Sequence, residues 1–251
     1  ILLDIFFVEN SSQFDKEMIR QIKERGQNYS IQYVESENLG YFPSAIAAIK
    51  RHGINAIDYE YFIISNVDLV VTKAFFTDLK NINFSRDIGV YAPAILSKRT
   101  NIDRNPKIIE RPSSKKLKIN MLLFSTAPSY ALLLLTNHIR LKLRKLLSYI
   151  IGTTSSNKEI KETKIYAPHG SFILMTNRFF QNNLVLDYPI FLFGEEIYIA
   201  EMARESNLDI KYIPNLVIND TEHASTSLLN NKSYRSYNAN ALAYLLKTFR
   251  W

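Results

Sequence analysis

The chain of 251 residues contains no cysteine and only seven glycines. The missing cysteines exclude a disulfide scaffold, a zinc finger, an iron–sulfur site and a cysteine nucleophile. No two glycines lie closer than 13 positions, which excludes both the G-x-G-x-x-G dinucleotide loop and the G-x-x-x-x-G-K-[ST] phosphate loop. The four histidines form no H-E-x-x-H pair, so a zincin is excluded too. The hydrophobic content of 47% and charged content of 22% are ordinary globular values and exclude wholesale disorder.

Acidic residues are absent from Arg111–Lys158, and this stretch holds nine of the 31 Lys and Arg residues. The rest of the chain has 22 bases against 24 acids, so it is slightly acidic. The net charge of +7 therefore comes from one basic segment and not from a generally basic surface. Its bases are interleaved with Leu and Ile at helical spacing, without stacking aromatic residues, so we expect no nucleic-acid binding.

Apolar runs alternate with amphipathic stretches, which predicts an α/β fold with a mainly parallel open sheet flanked by helices. The predicted strands are Leu2–Val8, Ile31–Val34, Tyr59–Ser65, Ile88–Tyr91, Tyr166–Met175, Ile210–Ile213 and Leu216–Ile218. The predicted helices are Phe14–Arg25 (capped by Ser11 or Ser12), Ser44–His52, Lys73–Leu79, Gly194–Asn207 and Tyr234–Arg250. Ligands of such sheets bind at the carboxyl ends of strands, which is where Glu9-Asn10 and Asn66-Val67-Asp68 lie.

Residues 111–160 break this alternation and predict a basic helical insertion. Pro128 should break or kink any helix there. Beyond it, one apolar stripe runs beside four bases. The stripe is Leu132, Leu135, Ile139, Leu143, Leu146 and Ile150, and the bases are Arg140, Lys142, Arg144 and Lys145. The pattern predicts an in-plane helix, with residues 117–151 resting on an anionic membrane surface without spanning it. The alternative is packing on the main domain or a homodimer interface.

Carboxylates at strand ends and helix starts are the first candidates for chemistry. Asp68 follows an apolar strand, where it is either a ligand for Mg²⁺ or Mn²⁺ or a turn residue. Glu195 and Glu196 open a helix, where they complement the helix dipole or supply a general base. Glu201 and Glu205, further along that helix, are expected to be solvated.

Two histidines in polar surroundings are weaker candidates. His223 lies in a Ser- and Thr-rich loop and is either a metal ligand or a surface residue. In His169-Gly170-Ser171, Gly170 permits close backbone approach, and its polar neighbours could hydrogen-bond a sugar.

The order of these motifs resembles the family 2 glycosyltransferases of the GT-A fold, including the rhamnosyltransferase-like enzymes of bacterial surface polysaccharides. The resemblance covers residues 3–95 and 165–230. The matching segments are Glu9-Asn10-Ser11-Ser12, Glu37-Asn38-Leu39-Gly40, Asn66-Val67-Asp68, His169-Gly170-Ser171-Phe172 and Phe191-Leu192-Phe193-Gly194-Glu195-Glu196. Glu9 stands where the family's first turn usually has Asp.

The resemblance implies a role for each matching position. Donor contacts would come from Glu9 and Asn10, which face the base and ribose of a nucleotide-sugar, and from Asn38, Asn66, His169 and Gly170. Asp68, with His223, would hold Mg²⁺ or Mn²⁺ on the diphosphate. Glu196, or its neighbour Glu195, would deprotonate the acceptor hydroxyl in an inverting transfer.

The resemblance also implies a division of the chain. Residues 1–110 would form the nucleotide-sugar-binding half, 111–160 the insertion, 161–232 the acceptor-side half and 233–251 a C-terminal helix. We expect the family's first strand to be missing, because it precedes the strand at residues 2–8.

The expected activity is sugar transfer to a saccharide, or to a lipid-linked saccharide, in cell-surface polysaccharide synthesis. The expected location is the cytoplasm, peripheral on the inner face of the cell membrane, because the cytoplasmic leaflet supplies the anionic charge that the basic segment would bind. The alternative is a non-catalytic relative that binds sugars or assists assembly.

Overall fold

A six-stranded sheet with helices packed against it forms the centre of the fold, and a separate two-stranded sheet precedes it in the chain. These coordinates are a computed structural model. The structure describes residues 2–10, 17, 20–21, 24, 29–83, 85–151, 161–181, 185–221 and 229–251, with the backbone alone for 144–151. Most of the predicted helix Phe14–Arg25, with its caps Ser11 and Ser12, lies outside the described residues.

The first half of the chain supplies five strands and two helices. In chain order they are β1 (Asp4–Glu9), β2 (Ser30–Glu35), α1 (Tyr41–Arg51), β3 (Tyr61–Ser65), β4 (Leu69–Val70), α2 (Lys73–Lys80) and β5 (Ile88–Ser97), with a short 3₁₀ turn at Ala56–Asp58. The second half supplies α3 (Ser114–Ser125), α4 (Ala127–Ile151), β6 (Thr163–Ile165), β7 (Phe172–Thr176), α5 (Asn177–Gln181), α6 (Glu195–Glu205), β8 (Asp209–Asp220) and α7 (Asn231–Thr248).

The six-stranded sheet has the order β3-β7-β5-β8-β4, with β6 paired to β8. The α/β class and the flanking helices are as predicted, but the prediction of mainly parallel strands is wrong for this sheet. Among its described strands only β5 and β8 pair in parallel, whereas β7 runs antiparallel to both β3 and β5. Strand β7 follows the insertion in the chain and lies between the earlier strands β3 and β5, with its chain direction opposite to theirs. The pair β1–β2 is parallel.

Strand β5 lies at the centre of the core, with nearly every side chain buried. Its residues alternate between two apolar clusters, as a strand covered on both faces requires. Val90 and Ala92 face the cluster that includes residues of α1, α6 and α7, while Tyr91 and Ile95 face the cluster that includes Phe75 of α2.

Strand β8 is continuous, although the sequence predicts two short strands at Ile210–Ile213 and Leu216–Ile218. The pairing with β5 shifts between Pro93↔Ile213 and Ala94↔Val217, so three residues bulge without ending the strand. Pro214, in the bulge, has no amide hydrogen to give to a ladder.

The insertion forms two helices that meet at a sharp bend. Helices α3 and α4 lie at 116° to each other, and the break falls at Thr126. Pro128 occupies the first turn of α4, where a missing N–H is tolerated, so the predicted break is confirmed. Helix α3 packs against α7 and buries Leu117 in the core. In the described part of the chain no single helix has the length and apolarity to cross a membrane, although the bent pair passes that test jointly.

Glu201 of α6 corrects a second expectation. Its carboxylate is fully buried, not solvated, and binds Arg111 through two contacts of 2.8 Å. The Tyr166 hydroxyl donates to it at 2.7 Å and Arg204 at 2.9 Å. The guanidinium of Arg111 also lies 4.7 Å from the Trp251 ring. The first base of the insertion therefore anchors α6 and the C-terminal residues. Glu205 is exposed, as expected.

Candidate functional site

Four chain segments meet where strands β3 and β8 end and strand β7 begins. They are residues 66–68, 169–171, 195–196 and 221. The turn after β3 is held there by its own backbone: the N–H of Asn66 donates to the Ser171 carbonyl at 2.9 Å. The Asp68 carbonyl accepts from the Thr221 N–H at 3.1 Å and from its hydroxyl at 2.6 Å. The predicted N-x-D turn is thus fixed between the start of β7 and the end of β8.

Gly170 allows the acid pair of α6 to approach this turn. A Cβ on residue 170 would come within 2.4 Å of Glu195 Oε1, so the carboxylate occupies the space that a side chain would need. The sequence motifs His169-Gly170-Ser171 and Glu195-Glu196 are therefore in direct contact.

Gly40 makes a second close approach, between the Glu37–Gly40 turn and the segment before α6. It has φ +94°, and a Cβ there would overlap the Phe191 carbonyl. Residue 40 must be glycine both for its backbone angle and for this contact. Asn38, in the same turn, is exposed.

Tyr41, the first residue of α1, links the two acidic motifs. Its hydroxyl donates to the Ser171 carbonyl at 3.5 Å. Burial, together with the charges of Glu195 and Asp68, raises the pKa of Tyr41 well above its ordinary value. The charges of both carboxylates thus favour the neutral form of this phenol. The sequence analysis missed Tyr41, although it directly follows the glycine of the E-N-x-G turn.

A left-handed turn presents the acid pair at the start of α6. Phe193 and Gly194 have φ of 70° and 86°, and the Tyr188 hydroxyl donates to the Phe193 carbonyl at 2.6 Å. Burial and the charge of Glu196 raise the pKa of Glu195 to about 8. Burial also raises the pKa of Glu196. The pair is thus shifted toward the range of a general base that works near neutral pH.

His169 is held in its neutral form. Its Nδ1 lies 2.8 Å from the Ser171 hydroxyl and accepts from the Ser171 N–H at 3.3 Å. Burial and the charges of Lys107 and Arg104 lower the pKa of His169 to about 4. A neutral imidazole suits hydrogen bonding to a polar ligand.

The loop after β5 contributes residues that the sequence analysis missed. The side chain of Asn105 accepts from the His169 N–H at 2.7 Å and donates to the Pro93 carbonyl at 2.8 Å. The positive charge of exposed Lys107 opposes the upward pKa shift of both glutamates and helps to lower the pKa of His169. The signal available was the polar run Asn101–Lys107, directly after a strand.

Glu9 and Asn10 lie outside this meeting point, at the end of β1. Glu9 is buried, and its carbonyl accepts from the Ser36 N–H at 2.8 Å, one residue before Glu37. The turn that follows β2 thus joins the end of β1 to Gly40. His223 lies outside the described residues.

The oxygen donors at Asn66 and Asp68 suit a hard divalent cation such as Mg²⁺ or Mn²⁺. Over the described ranges, however, no group of three or more His, Asp or Glu side chains is arranged to hold a metal ion.

Neither the protein-family models nor the curated proteins give a match to this chain. Among solved structures, the chain is similar to the crystal structure of GalNAc-T7 with UDP, GalNAc and Mn²⁺. The TM-score is 0.53 at 10% sequence identity, over 88% of this chain and 38% of that chain. This chain thus corresponds to well under half of that protein. GalNAc-T7 is a GT-A glycosyltransferase, and the likeness shows that the fold of this chain is GT-A-like.

Proposed function

We propose that this protein is a glycosyltransferase that moves a sugar from a nucleotide-sugar to a saccharide hydroxyl. The GT-A-like fold supports the class of reaction, since the similar chain of GalNAc-T7 was solved with UDP, GalNAc and Mn²⁺. The observation that carries the proposal is that Gly170-Ser171 contacts both acidic motifs: Gly170 lies against the Glu195 carboxylate, and the Ser171 carbonyl accepts from the N–H of Asn66, two residues before Asp68. One acid at the donor diphosphate and another at the acceptor hydroxyl are the minimum set for an in-line displacement.

Glu195 is the better candidate for the base. Its carboxylate lies against Gly170 and near Tyr41, at the edge that also holds Asp68. Its raised pKa makes it a stronger proton acceptor for a sugar hydroxyl than an ordinary carboxylate. Glu196 then acts mainly through its charge on Glu195, and it remains the second candidate that the resemblance favours. Proton removal as the C–O bond forms fits inversion at the sugar carbon.

Asp68, with Asn66 beside it, would hold Mg²⁺ or Mn²⁺ against the donor diphosphate, and His223 is a further candidate ligand. The cation would neutralise the charge that develops on the departing nucleoside diphosphate. Glu9, Asn10 and Asn38 lie along the β1–β2 side and are proposed to contact the base and ribose.

The finer assignments rest on the sequence resemblance. These are membership of family 2, a rhamnosyl-type specificity and a role in bacterial cell-surface polysaccharide synthesis. A lipid-linked saccharide acceptor belongs to the same set. The competing function is a non-catalytic GT-A-like subunit that keeps the fold for binding or assembly.

A transfer assay separates these functions. We would measure turnover of UDP- and dTDP-sugars for the wild type, Glu195→Gln and Glu196→Gln, with exposed Glu205→Gln as the matched control on the same helix. Glu195→Gln should lower turnover by about 10²- to 10⁴-fold with donor binding nearly unchanged, and Glu205→Gln should have no effect. Donor binding without turnover by the wild type would favour the non-catalytic subunit.

A further inference from the structure

Helix α4 has many apolar side chains that no other part of the described structure covers. Among its described side chains, Leu132, Leu135, Ile139 and Leu143 are each about half exposed, at 47% to 56% of their surface. They recur at spacings of three and four and so line one side of the helix. A contiguous exposed apolar surface of this kind marks an interaction site, since single-domain proteins rarely leave one in water.

The apolar surface is wider than one stripe. Leu134 and Leu141 are 49% and 58% exposed, and at 100° per residue they fall on the opposite side of α4. One flat protein face would cover the first stripe and leave these two leucines in water. A lipid surface that buries the first stripe likewise leaves them on the far side of the helix, so these two leucines do not distinguish the occupants.

The charges around the stripe select the kind of surface. Arg140 and Lys142 are exposed and lie at its two edges, and Arg144 and Lys145 follow in the same helix. Arg111–Lys158 contains no Asp or Glu. A second copy of α4 would therefore bring the same bases against these with no acid to pair them, and like charges repel. Anionic headgroups supply the missing opposite charge.

We propose that α4 docks on an anionic lipid surface, with the Leu132–Leu143 stripe among the acyl chains and the flanking bases at the headgroups. The bend at Thr126 turns α4 away from α3, which stays packed on α7. Docking therefore needs no rearrangement of the core.

The root of α4 lies close to the acid pair. The ring of Tyr130 lies 6.2 Å from that of Tyr234, which in turn lies 5.0 Å from that of Phe193, two residues before Glu195. The first turn of a lipid-docked α4 would thus lie near the start of α6, which carries Glu195. If the protein has the proposed function, a lipid surface near Glu195 suits a saccharide acceptor that is carried on a lipid. This point alone rests on the proposed function.

The test is co-sedimentation of the whole protein with vesicles of phosphatidylcholine alone and with about one-third phosphatidylglycerol. We expect binding to the anionic vesicles only. This binding should weaken as the salt concentration rises from about 0.05 to about 0.5 M. Each base near an anionic surface is worth about fivefold in partitioning. Changing all four of Arg140, Lys142, Arg144 and Lys145 to Gln should therefore weaken binding by up to about 600-fold. The matched control changes four exposed bases elsewhere, Lys73, Lys80, Arg86 and Lys247, and should retain most of the binding.

A second variant tests the apolar stripe itself. Leu132→Ser with Leu135→Ser alters exposed side chains, so the fold should survive, as circular dichroism would show, while vesicle binding is lost. Equal binding to both vesicle types, or none to either, would overturn the proposal. So would a stable dimer without lipid that the two serines dissociate, because the occupant would then be a second copy. None of these readouts depends on sugar transfer, so their failure leaves the proposed function standing.

Discussion

The α-carbon of Gly170 lies directly beside the carboxylate of Glu195, so close that a Cβ on residue 170 would come within 2.4 Å of Oε1. Only glycine leaves the carboxylate in its place. The atom in the way is the end of a flexible side chain, so a substitution at residue 170 should displace the glutamate without unfolding the protein.

Gly170→Ala should therefore lower kcat by about 10- to 100-fold, because an offset of an ångström at a reacting group has effects of that size. Nucleotide binding should change little, and steady-state kinetics with isothermal titration would separate the two. In Gly53→Ala, whose new Cβ meets nothing within 4 Å, we expect a stability loss from its positive φ but unchanged activity. Full activity of Gly170→Ala would remove Glu195 from the base's role.

The pH profile should report the coupling of Glu195 to Glu196. Burial and the charge of Glu196 raise the pKa of Glu195 to about 8, and a base works only when unprotonated. The value of kcat/KM should rise with pH and level off above about 8. In Glu196→Gln that midpoint should move to lower pH, since one of the causes that raise the pKa of Glu195 is gone. A midpoint that stays in place would mean that another group is titrating.

His169 should make the fold sensitive to acid. Its pKa is lowered to about 4 by burial and by nearby cations, below its ordinary value near 6.5. The unfolded chain then binds the extra proton more readily, so stability present above pH 6.5 is lost as the pH falls toward 4. The loss is at most about 3 kcal/mol. His169→Gln should flatten this part of the curve of unfolding free energy against pH, and a curve as steep as the wild type's would contradict the assignment.

Substitution of Glu201 should lower the free energy of unfolding more than most single substitutions outside the site. Removing the carboxylate in Glu201→Ala leaves Arg111 without its buried partner, a loss of about 3–5 kcal/mol. Tyr166→Phe removes one hydrogen bond to the same carboxylate and should cost about 1.5–3 kcal/mol. Glu205→Ala, on the exposed side of α6, should stay within about 0.5 kcal/mol. Urea unfolding measures all three, and equal costs for Glu201→Ala and Glu205→Ala would contradict the contacts described.

Periodicity in the sequence was enough to predict the position of most helices and strands, because burial of one face sets the spacing of apolar residues in each kind of element. Helix α2 was predicted at Lys73–Leu79 and is observed at Lys73–Lys80. Strand direction was not predictable in this way. The apolar pattern of β7 would be the same in a parallel and in an antiparallel pairing. Its neighbours β3 and β5 are also far away in sequence.

The site was predictable as a set of motifs but not as an arrangement. Asp68 and Glu195 stood out because carboxylates are unusual directly after apolar runs, and Gly170 because glycine permits close backbone approach. Tyr41 and Lys107 did not, since a tyrosine after a turn or a lysine in a polar run is common, and only the fold relates it to the acidic residues. Glu201 was misjudged for the same reason: its partner Arg111 is 90 residues away in sequence.

We propose that Asp68 holds a divalent cation on a nucleoside diphosphate, and the decisive measurement is isothermal titration of UDP and dTDP with and without Mn²⁺. The comparison is between the wild type, Asp68→Ala and the exposed control Asp78→Ala on α2. We expect binding that requires Mn²⁺ in the wild type and in Asp78→Ala, and that is at least about tenfold weaker in Asp68→Ala. Binding of equal strength in all three proteins, or no Mn²⁺-dependent binding in any, would contradict it.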